Sequence, residues 1–290
     1  MPPAAQPVLH VYGRHASQYA ELWLPETRLH DVVAVIVHGG FWRQAYGAEL
    51  GRPLAADLAA RGIVAWNLEY RRMAGGDGGY PETFMDVAAG IDALGAALAQ
   101  AGIEDGPRIG IGHSAGGHLA LWAAGRSLLP AGAPGALPEG SRSLDGVVSQ
   151  AGVLDLGLAH RLSLGNDAAG ELMGCSPESG AEAWLAADPA ARDLPAVPLV
   201  MLHGRTDADV PVELARSFAS RALAAGARVD YREYDGDHYG LISPGDPAWE
   251  ATVEALLEVG GGAARGEEPH KLPLHRLPTG ILKSSPPEKR

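Results

Sequence analysis

Hydrophobic positions along the chain follow two periods, one typical of strands and one typical of helices. Val32 to Val37 form an unbroken run of mostly β-branched side chains, which indicates a strand buried on both faces. From Pro81 to Ala101, apolar residues recur at helical spacing and end at Gly102. The same patterns predict strands at 19–23, 63–68, 108–112, 147–149, 198–202 and 229–234, and helices at 49–61, 180–187, 211–225 and 247–259, with one more beginning near residue 115.

This alternation predicts an α/β domain with a mostly parallel central sheet and helices on both faces. We expect the domain to occupy residues 1–260. The stretch from Asp155 to Pro195 is long and contains only short helical pieces, so we expect a cap-like segment that covers a site. Residues 261–290 contain five prolines and no helical or strand period, which predicts a flexible Pro-rich tail outside the domain.

Composition narrows the class of protein. The chain is 46% hydrophobic and 20% charged, as in an ordinary globular domain, and its net charge of -12 argues against a nucleic-acid surface. A single cysteine, Cys175, allows no intrachain disulfide, and no basic segment followed by an apolar one begins the chain. We therefore expect a cytoplasmic protein that does not bind membranes, with a homodimer left open.

The sharpest local motif is the sequence Gly112-His113-Ser114-Ala115-Gly116, between a predicted strand and a predicted helix. A serine at such a turn is held in a strained backbone that exposes its hydroxyl above the sheet, and the flanking glycines let strand and helix approach closely. The same stretch resembles a dinucleotide fingerprint, but the next strand ends without the acidic residue that such a site needs. Ser114 is therefore the candidate nucleophile.

Two later loops supply the groups that would activate a serine. Asp207 and His238 each follow a predicted strand, in the order Ser, Asp, His, and a parallel sheet brings such strand ends together. Asp209 and Asp237 are alternatives for the carboxylate, and Asp207 is preferred because Asp237 adjoins the histidine and Asp209 is placed to cap a helix. No histidine pair has metal-ligand spacing and no phosphate loop occurs, so neither a metal nor a cofactor is expected.

An oxyanion hole is expected after the buried strand, where the chain continues as His38-Gly39-Gly40-Phe41-Trp42. Backbone N–H groups of Gly40, Phe41 and Ala115 would stabilise a developing oxyanion. The alternative left open is that the two glycines only end a strand.

Other side chains near these positions admit a functional and a structural interpretation. His113 is expected to fill space behind the oxyanion site, and Arg71 and Arg72 are expected to be solvated surface charges. Four aromatic residues are candidates for an apolar substrate pocket, with core packing as the competing explanation. They are Trp42, Tyr46, Tyr70 and Tyr239.

Taken together, the segments HGGFW, GHSAGGHLA, LHGRTDADVP and GDHYG resemble the α/β-hydrolase superfamily of serine hydrolases over about residues 17–260. The His-Gly-Gly-X-Trp pattern is similar to that of kynurenine formamidases (arylformamidases), and the rest resembles small carboxylesterases and the catalytic domain of prolyl oligopeptidases. The resemblance implies a triad of Ser114, Asp207 and His238, with Gly40 and Phe41 in the oxyanion hole. No β-propeller precedes the domain, which makes peptidase activity a minor option.

We expect a serine hydrolase that cleaves a small carboxylic ester or an aryl amide through an acyl-enzyme, with a small molecule as its partner. Hydrolysis of N-formylkynurenine is the main alternative. A small peptidase, an acyltransferase or a catalytically silent binding protein on the same fold also remain open, because fold alone does not determine function.

Overall fold

A computed structural model describes residues 6–265, and these form one eight-stranded sheet flanked by helices. The strands lie in the order β1-β2-β4-β3-β5-β6-β7-β8. Their bounds are β1 Val8–Val11, β2 Tyr19–Trp23, β3 Val33–Val37, β4 Val64–Leu68, β5 Arg108–His113, β6 Gly146–Gln150, β7 Leu199–Gly204 and β8 Val229–Tyr234.

From β4 to β8 the strands pair in parallel, and β1 and β2 join one edge as antiparallel strands. The predicted, mostly parallel α/β sheet is therefore confirmed. Strand β3 lies inside the sheet between β4 and β5, with all five residues buried, as its continuous apolar run indicates. Strand β1 was not predicted, because its exposed residues Val8, Leu9 and Val11 do not alternate between apolar and polar side chains.

Helices cover both faces of the sheet, and each face has its own apolar core. The helices are α1 Arg52–Ala60, α2 Glu82–Asp92, α3 Leu94–Gln100, α4 Ala115–Ala124, α5 Leu156–Arg161, α6 Leu164–Met173, α7 Ala181–Ala187, α8 Val212–Ala224 and α9 Pro247–Arg265. Apolar side chains of α1 and α9 pack on one face. Those of α2, α3, α4 and α8 pack on the other, which buries both sides of the central strands.

Two predicted helix boundaries were wrong. The helix expected over 81–101 is divided at Ala93 into α2 and α3. Helix α9 continues to Arg265 and so includes the first five residues of the predicted tail, 261–265. The rest of the predicted tail lies outside the described residues. Within residues 6–265, no helix is both long enough and apolar enough to cross a membrane.

The segment from Asp155 to Pro195 contains short helices and no strand, as expected. Between α5 and the regular part of α6 the chain makes a left-handed turn, in which Ser163, Gly165, Asn166 and Asp167 have φ between 50° and 60°. Left-handed conformations are costly for residues with a Cβ, so the surrounding contacts must hold this turn.

Candidate active site

Ser114 stands between β5 and α4 in a strained backbone conformation, with φ 54° and ψ −119°. Its N–H donates to Gln150 O at 2.8 Å, and its carbonyl accepts from Gly117 N at 3.0 Å and Val153 N at 3.2 Å. These three main-chain bonds fix the turn, so the strain is supported by its surroundings. This is the geometry expected of a nucleophile at a strand-to-helix turn.

The glycines around Ser114 are required by close backbone contacts. A Cβ on Gly112 would lie 2.3 Å from Gly116 O, and a Cβ on Gly116 would lie 2.0 Å from Val37 O. Helix α4 therefore begins in direct contact with β3 and β5, which brings its N-terminus beneath the serine. Ala115 is the first residue of α4, and N–H groups in the first turn of a helix have no intrahelical acceptor.

Asp207 and His238 meet in a buried hydrogen bond. His238 Nδ1 lies 2.6 Å from Asp207 Oδ2, although the two residues follow different strands, β8 and β7. The other carboxylate oxygen accepts from the N–H groups of Asp209 at 2.9 Å and Val210 at 2.8 Å. The preferred carboxylate thus faces the candidate base, whereas Asp237 accepts from the main chain of Tyr239 instead.

A second histidine, His203, supports the same carboxylate. Its Nε2 lies 2.8 Å from Val210 O and 3.3 Å from Asp207 Oδ2, and the ring is buried. Burial alone would raise the pKa of Asp207, but the hydrogen bonds from His203, His238 and Val210 hold that pKa well below its usual value. Asp207 is therefore ionised at neutral pH, as a carboxylate that orients a histidine must be. His203, which stands four residues before Asp207, was not predicted to have this role.

Within residues 6–265, the hydrogen bonds of Ser114 are made by its main chain, so no bond joins its hydroxyl to His238 here. Catalytic hydrogen bonds often form only when substrate is bound. The ring of His113, next to Ser114 in the chain, lies 4.4 Å from the ring of His238, which places the two loops side by side. The structure thus brings Ser114, Asp207 and His238 into one region.

The loop after β3, residues 38–43, lies against the candidate nucleophile Ser114, and it is called the oxyanion loop after its predicted role. A Cβ on Gly39 would lie 2.7 Å from His113 O and 3.1 Å from Ser114 Cβ, so only glycine fits. The next three residues, Gly40, Phe41 and Trp42, have φ of 104°, 50° and 54°. The loop therefore packs closely beside Ser114, and its role as an oxyanion hole stays a prediction.

A buried hydrogen-bond network holds the oxyanion loop in place. His38 Nδ1 lies 2.8 Å from Gly39 O, and His38 Nε2 lies 3.2 Å from Glu69 Oε1. Tyr70 stacks on the His38 ring at 4.4 Å and donates its hydroxyl to His38 O at 2.7 Å. Burial alone would raise the pKa of Glu69, but the hydrogen bond from His38 and the charge of Arg72 hold it below the usual value.

This network corrects two predictions. Tyr70, proposed for the substrate pocket, is fully buried and supports the oxyanion loop instead. Arg72, expected at the surface, is 5% exposed and lies 3.3 Å from Glu69, while Arg71 pairs with Asp86 at 2.8 Å. Glu69 was missed because nothing in its local sequence marks a buried carboxylate.

Of the other predicted pocket residues, Trp42 is 1% exposed and belongs to the core. Tyr46 and Tyr239 are 46% and 53% exposed. The Tyr239 ring meets the His238 ring edge-on at 5.3 Å. Tyr239 therefore stays a candidate for the rim of a pocket, and the competing explanation of core packing applies to Trp42.

The cap-like segment contacts the oxyanion loop. Arg43 donates to Gly165 O at 2.8 Å and pairs with Glu171 at 2.9 Å. A Cβ on Gly165 would lie 2.6 Å from the Phe41 ring, so the left-handed turn fits closely against that ring.

In the part of the chain that the structure describes, no group of three or more His, Cys, Asp or Glu side chains could hold a metal ion.

Comparison with known proteins agrees with this architecture. Residues 21–222 match the family model described as BD-FAE, a range that includes Ser114 and Asp207 and ends before His238. The chain belongs to the BD-FAE family. A curated relative is Esterase LipC from Mycobacterium tuberculosis, which is 30% identical over an alignment of 251 positions that covers 80% of this chain. The chain spans 59% of the length of LipC.

Solved structures related to this BD-FAE member share its fold. Native esterase 2 (Est2) from Thermogutta terrifontis is 25% identical and superposes with a TM-score of 0.65, covering 91% of this chain and 96% of that one. Phosphonate-inhibited esterase B from Lactobacillus rhamnosis is 18% identical and superposes with a TM-score of 0.76, covering 92% of this chain and 88% of that one. These matches confirm the predicted α/β-hydrolase fold.

Proposed function

We propose that this chain is a serine carboxylesterase that cleaves small esters through an acyl-enzyme on Ser114. The observation that carries the proposal is the 2.6 Å bond between His238 and an ionised Asp207, beside a serine in a strained strand-to-helix turn. An isolated serine hydroxyl is a weak nucleophile, and a histidine oriented by a carboxylate is the usual means of activating it.

In the proposed reaction, Ser114 Oγ attacks the ester carbonyl while His238 Nε2 takes the hydroxyl proton. Asp207 keeps the Nδ1 proton of His238 in place and stabilises the imidazolium. N–H groups of Gly40, Phe41 and Ala115 stabilise the oxyanion, each contributing up to about 3 kcal/mol. The alcohol leaves with the proton from His238, and water activated by the same histidine then releases the acid.

The curated relative and the solved structures support an ester as the substrate, since LipC and Est2 are both named esterases. The half-exposed rings of Tyr46 and Tyr239 would form an apolar rim suited to a small, uncharged acyl or alcohol group. Formamide hydrolysis stays a prediction supported by the segment HGGFW alone. A location in the cytoplasm stays a prediction from the composition.

Rates on p-nitrophenyl butyrate and N-formylkynurenine test the proposal, measured with the wild type, Ser114→Ala and Ser149→Ala. Ser149 is a suitable control because it is buried in β6 close to α4, and its hydroxyl makes no hydrogen bond within residues 6–265. We expect ester hydrolysis that Ser114→Ala abolishes and Ser149→Ala leaves within about twofold of wild type.

A strong preference for N-formylkynurenine would assign arylformamidase activity instead. Turnover that survives in Ser114→Ala would contradict the serine mechanism, and the absence of turnover of either substrate would favour a silent binding protein.

A further inference from the structure

His113 makes a contact that the proposed reaction does not use. Its Nε2 lies 2.9 Å from the main-chain carbonyl of His238, across 125 residues of sequence, and its side chain is buried. On its other side, a Cβ placed on Gly39 would lie 3.2 Å from His113 Nδ1. The residue directly before Ser114 thus bonds to the loop of the candidate base and lies close to Gly39 in the oxyanion loop.

We propose that His113 is a positioning residue, which holds the main chain of His238 in register with Ser114 and with the oxyanion loop. The inference rests on the proposed function, because it assigns His113 a role only if His238 is the base. The geometry gives His113 no direct part in proton transfer, since its Nε2 faces a carbonyl oxygen.

The proton arrangement of His113 follows from its surroundings. Burial, and then the neighbouring His238, lower the pKa of His113 to about 3, so the ring is neutral at neutral pH. A neutral ring carries one proton, and the carbonyl of His238 can only accept. The proton is therefore on Nε2, where it donates to His238 O. A neutral ring at this position also adds no positive charge beside His238 when that residue takes up the serine proton.

The fixed main chain matters because His238 must satisfy two partners at once. Its Nδ1 bonds to Asp207 at 2.6 Å, while its Nε2 must reach Ser114 during the reaction. The loop that carries His238 follows β8, which within residues 6–265 is an edge strand paired with β7 alone. The bond from His113 ties that loop to β5, the strand that Ser114 directly follows, and a displacement of about 1 Å in such a site can lower a rate substantially.

His118 provides a matched control within the same chain. It is also fully buried, its Nε2 lies 2.9 Å from the carbonyl of Ala187, and its pKa is likewise lowered, to about 4, by burial. It stands in α4, and its ring packs against Trp42 and Phe84 rather than His238. Replacing His118 would therefore remove one buried histidine hydrogen bond, with its cost in stability, without disturbing the loop that carries His238.

The test compares kcat, KM and thermal unfolding for wild type, His113→Phe, His113→Gln and His118→Phe, on the ester that Ser114 hydrolyses. Phe keeps the ring and removes the donor, whereas the amide of Gln reaches about as far as His Nε2. We expect kcat to fall about tenfold in His113→Phe with KM unchanged, as for the loss of one buried hydrogen bond. His113→Gln should recover kcat to within about threefold of wild type, and His118→Phe should lower only the unfolding temperature.

An unchanged kcat in folded His113→Phe, or an equal loss of kcat in His118→Phe, would overturn the proposal. If His113→Phe does not fold, His113→Asn replaces it, because its shorter amide cannot reach His238 O; equal kcat values for Asn and Gln would then refute the positioning role. Ser114→Ala separates this outcome from failure of the proposed function, since turnover that persists without the serine hydroxyl refutes the esterase mechanism itself.

Discussion

Replacing Asp207 by Asn tests the proposed role of Asp207 in orienting His238 most directly, because the substitution removes one charge and almost no volume. Oδ1 of Asp207 accepts from the N–H groups of Asp209 and Val210, at 2.9 and 2.8 Å, and can only be replaced by another acceptor. The Asn carbonyl must therefore take that place. Its NH₂ group then faces His238 Nδ1, where the carboxylate oxygen Oδ2 stood at 2.6 Å.

Facing a donor, His238 must present an unprotonated Nδ1, so its single proton moves to Nε2. A protonated Nε2 cannot accept the proton of Ser114, which blocks the first step of the proposed reaction. Loss of the correct tautomer in a triad of this kind lowers kcat roughly 10⁴-fold, or about 5 kcal/mol of transition-state stabilisation. His203 does not force the outcome, since its Nε2 keeps Val210 O as an acceptor at 2.8 Å.

The assay is kcat on p-nitrophenyl butyrate for the Asp207→Asn protein, with circular dichroism to establish that it folds. Asp209→Asn is the matched control: it makes the same chemical change two residues away, and the contact of Asp209 with the carboxylate uses its main chain. We expect Asp209→Asn to stay within about twofold of wild type. A loss smaller than tenfold in folded Asp207→Asn would refute the assignment of Asp207 as the residue that orients the base.

Two further predictions concern stability. The folded-state pKa of Asp207 is depressed, so its contribution to stability is present above its unfolded pKa of about 3.9 and is lost as pH falls below that value. Urea unfolding from pH 7 to 3 should therefore show a weaker acid dependence in Asp207→Asn, and parallel curves would contradict this. Gly116→Ala places a Cβ 2.0 Å from Val37 O and should lower the free energy of unfolding by about 3 kcal/mol; an unchanged urea midpoint would disprove it.

The central part of the fold could be predicted from the sequence because single strands there are buried on both faces. The apolar run that forms β3 has no polar position, so it fits only the interior of a parallel sheet. Strand β1 has no such pattern and was missed, since an exposed edge strand is defined by its pairing with β2. The division at Ala93 was missed because the apolar side chains keep their helical spacing through Gly90 and Gly95, the two glycines that flank it.

The candidate site was predictable where backbone geometry restricts the residue type. Glycines flank Ser114 because no Cβ fits there, and this leaves a recognisable motif. Contacts between distant side chains leave no such pattern. Nothing near Tyr70 in the sequence indicates that its hydroxyl reaches His38 O, and nothing near His113 indicates a contact with His238. The contacts of Tyr70 and His113 were therefore not predicted, whereas Ser114, Asp207 and His238 stand in motifs that are recognisable in the sequence.

The order of the site residues along the chain has a consequence for synthesis on the ribosome. Gly39 and Ser114 are translated early, Asp207 much later, and His238 only after strand β8. Until that last edge strand adds to β7, a nascent chain has a serine but neither the base nor the main-chain carbonyl to which His113 donates. If the site works as proposed, the growing polypeptide is inert toward esters until His238 has been translated, and activity begins when the loop that follows β8 docks beside Ser114.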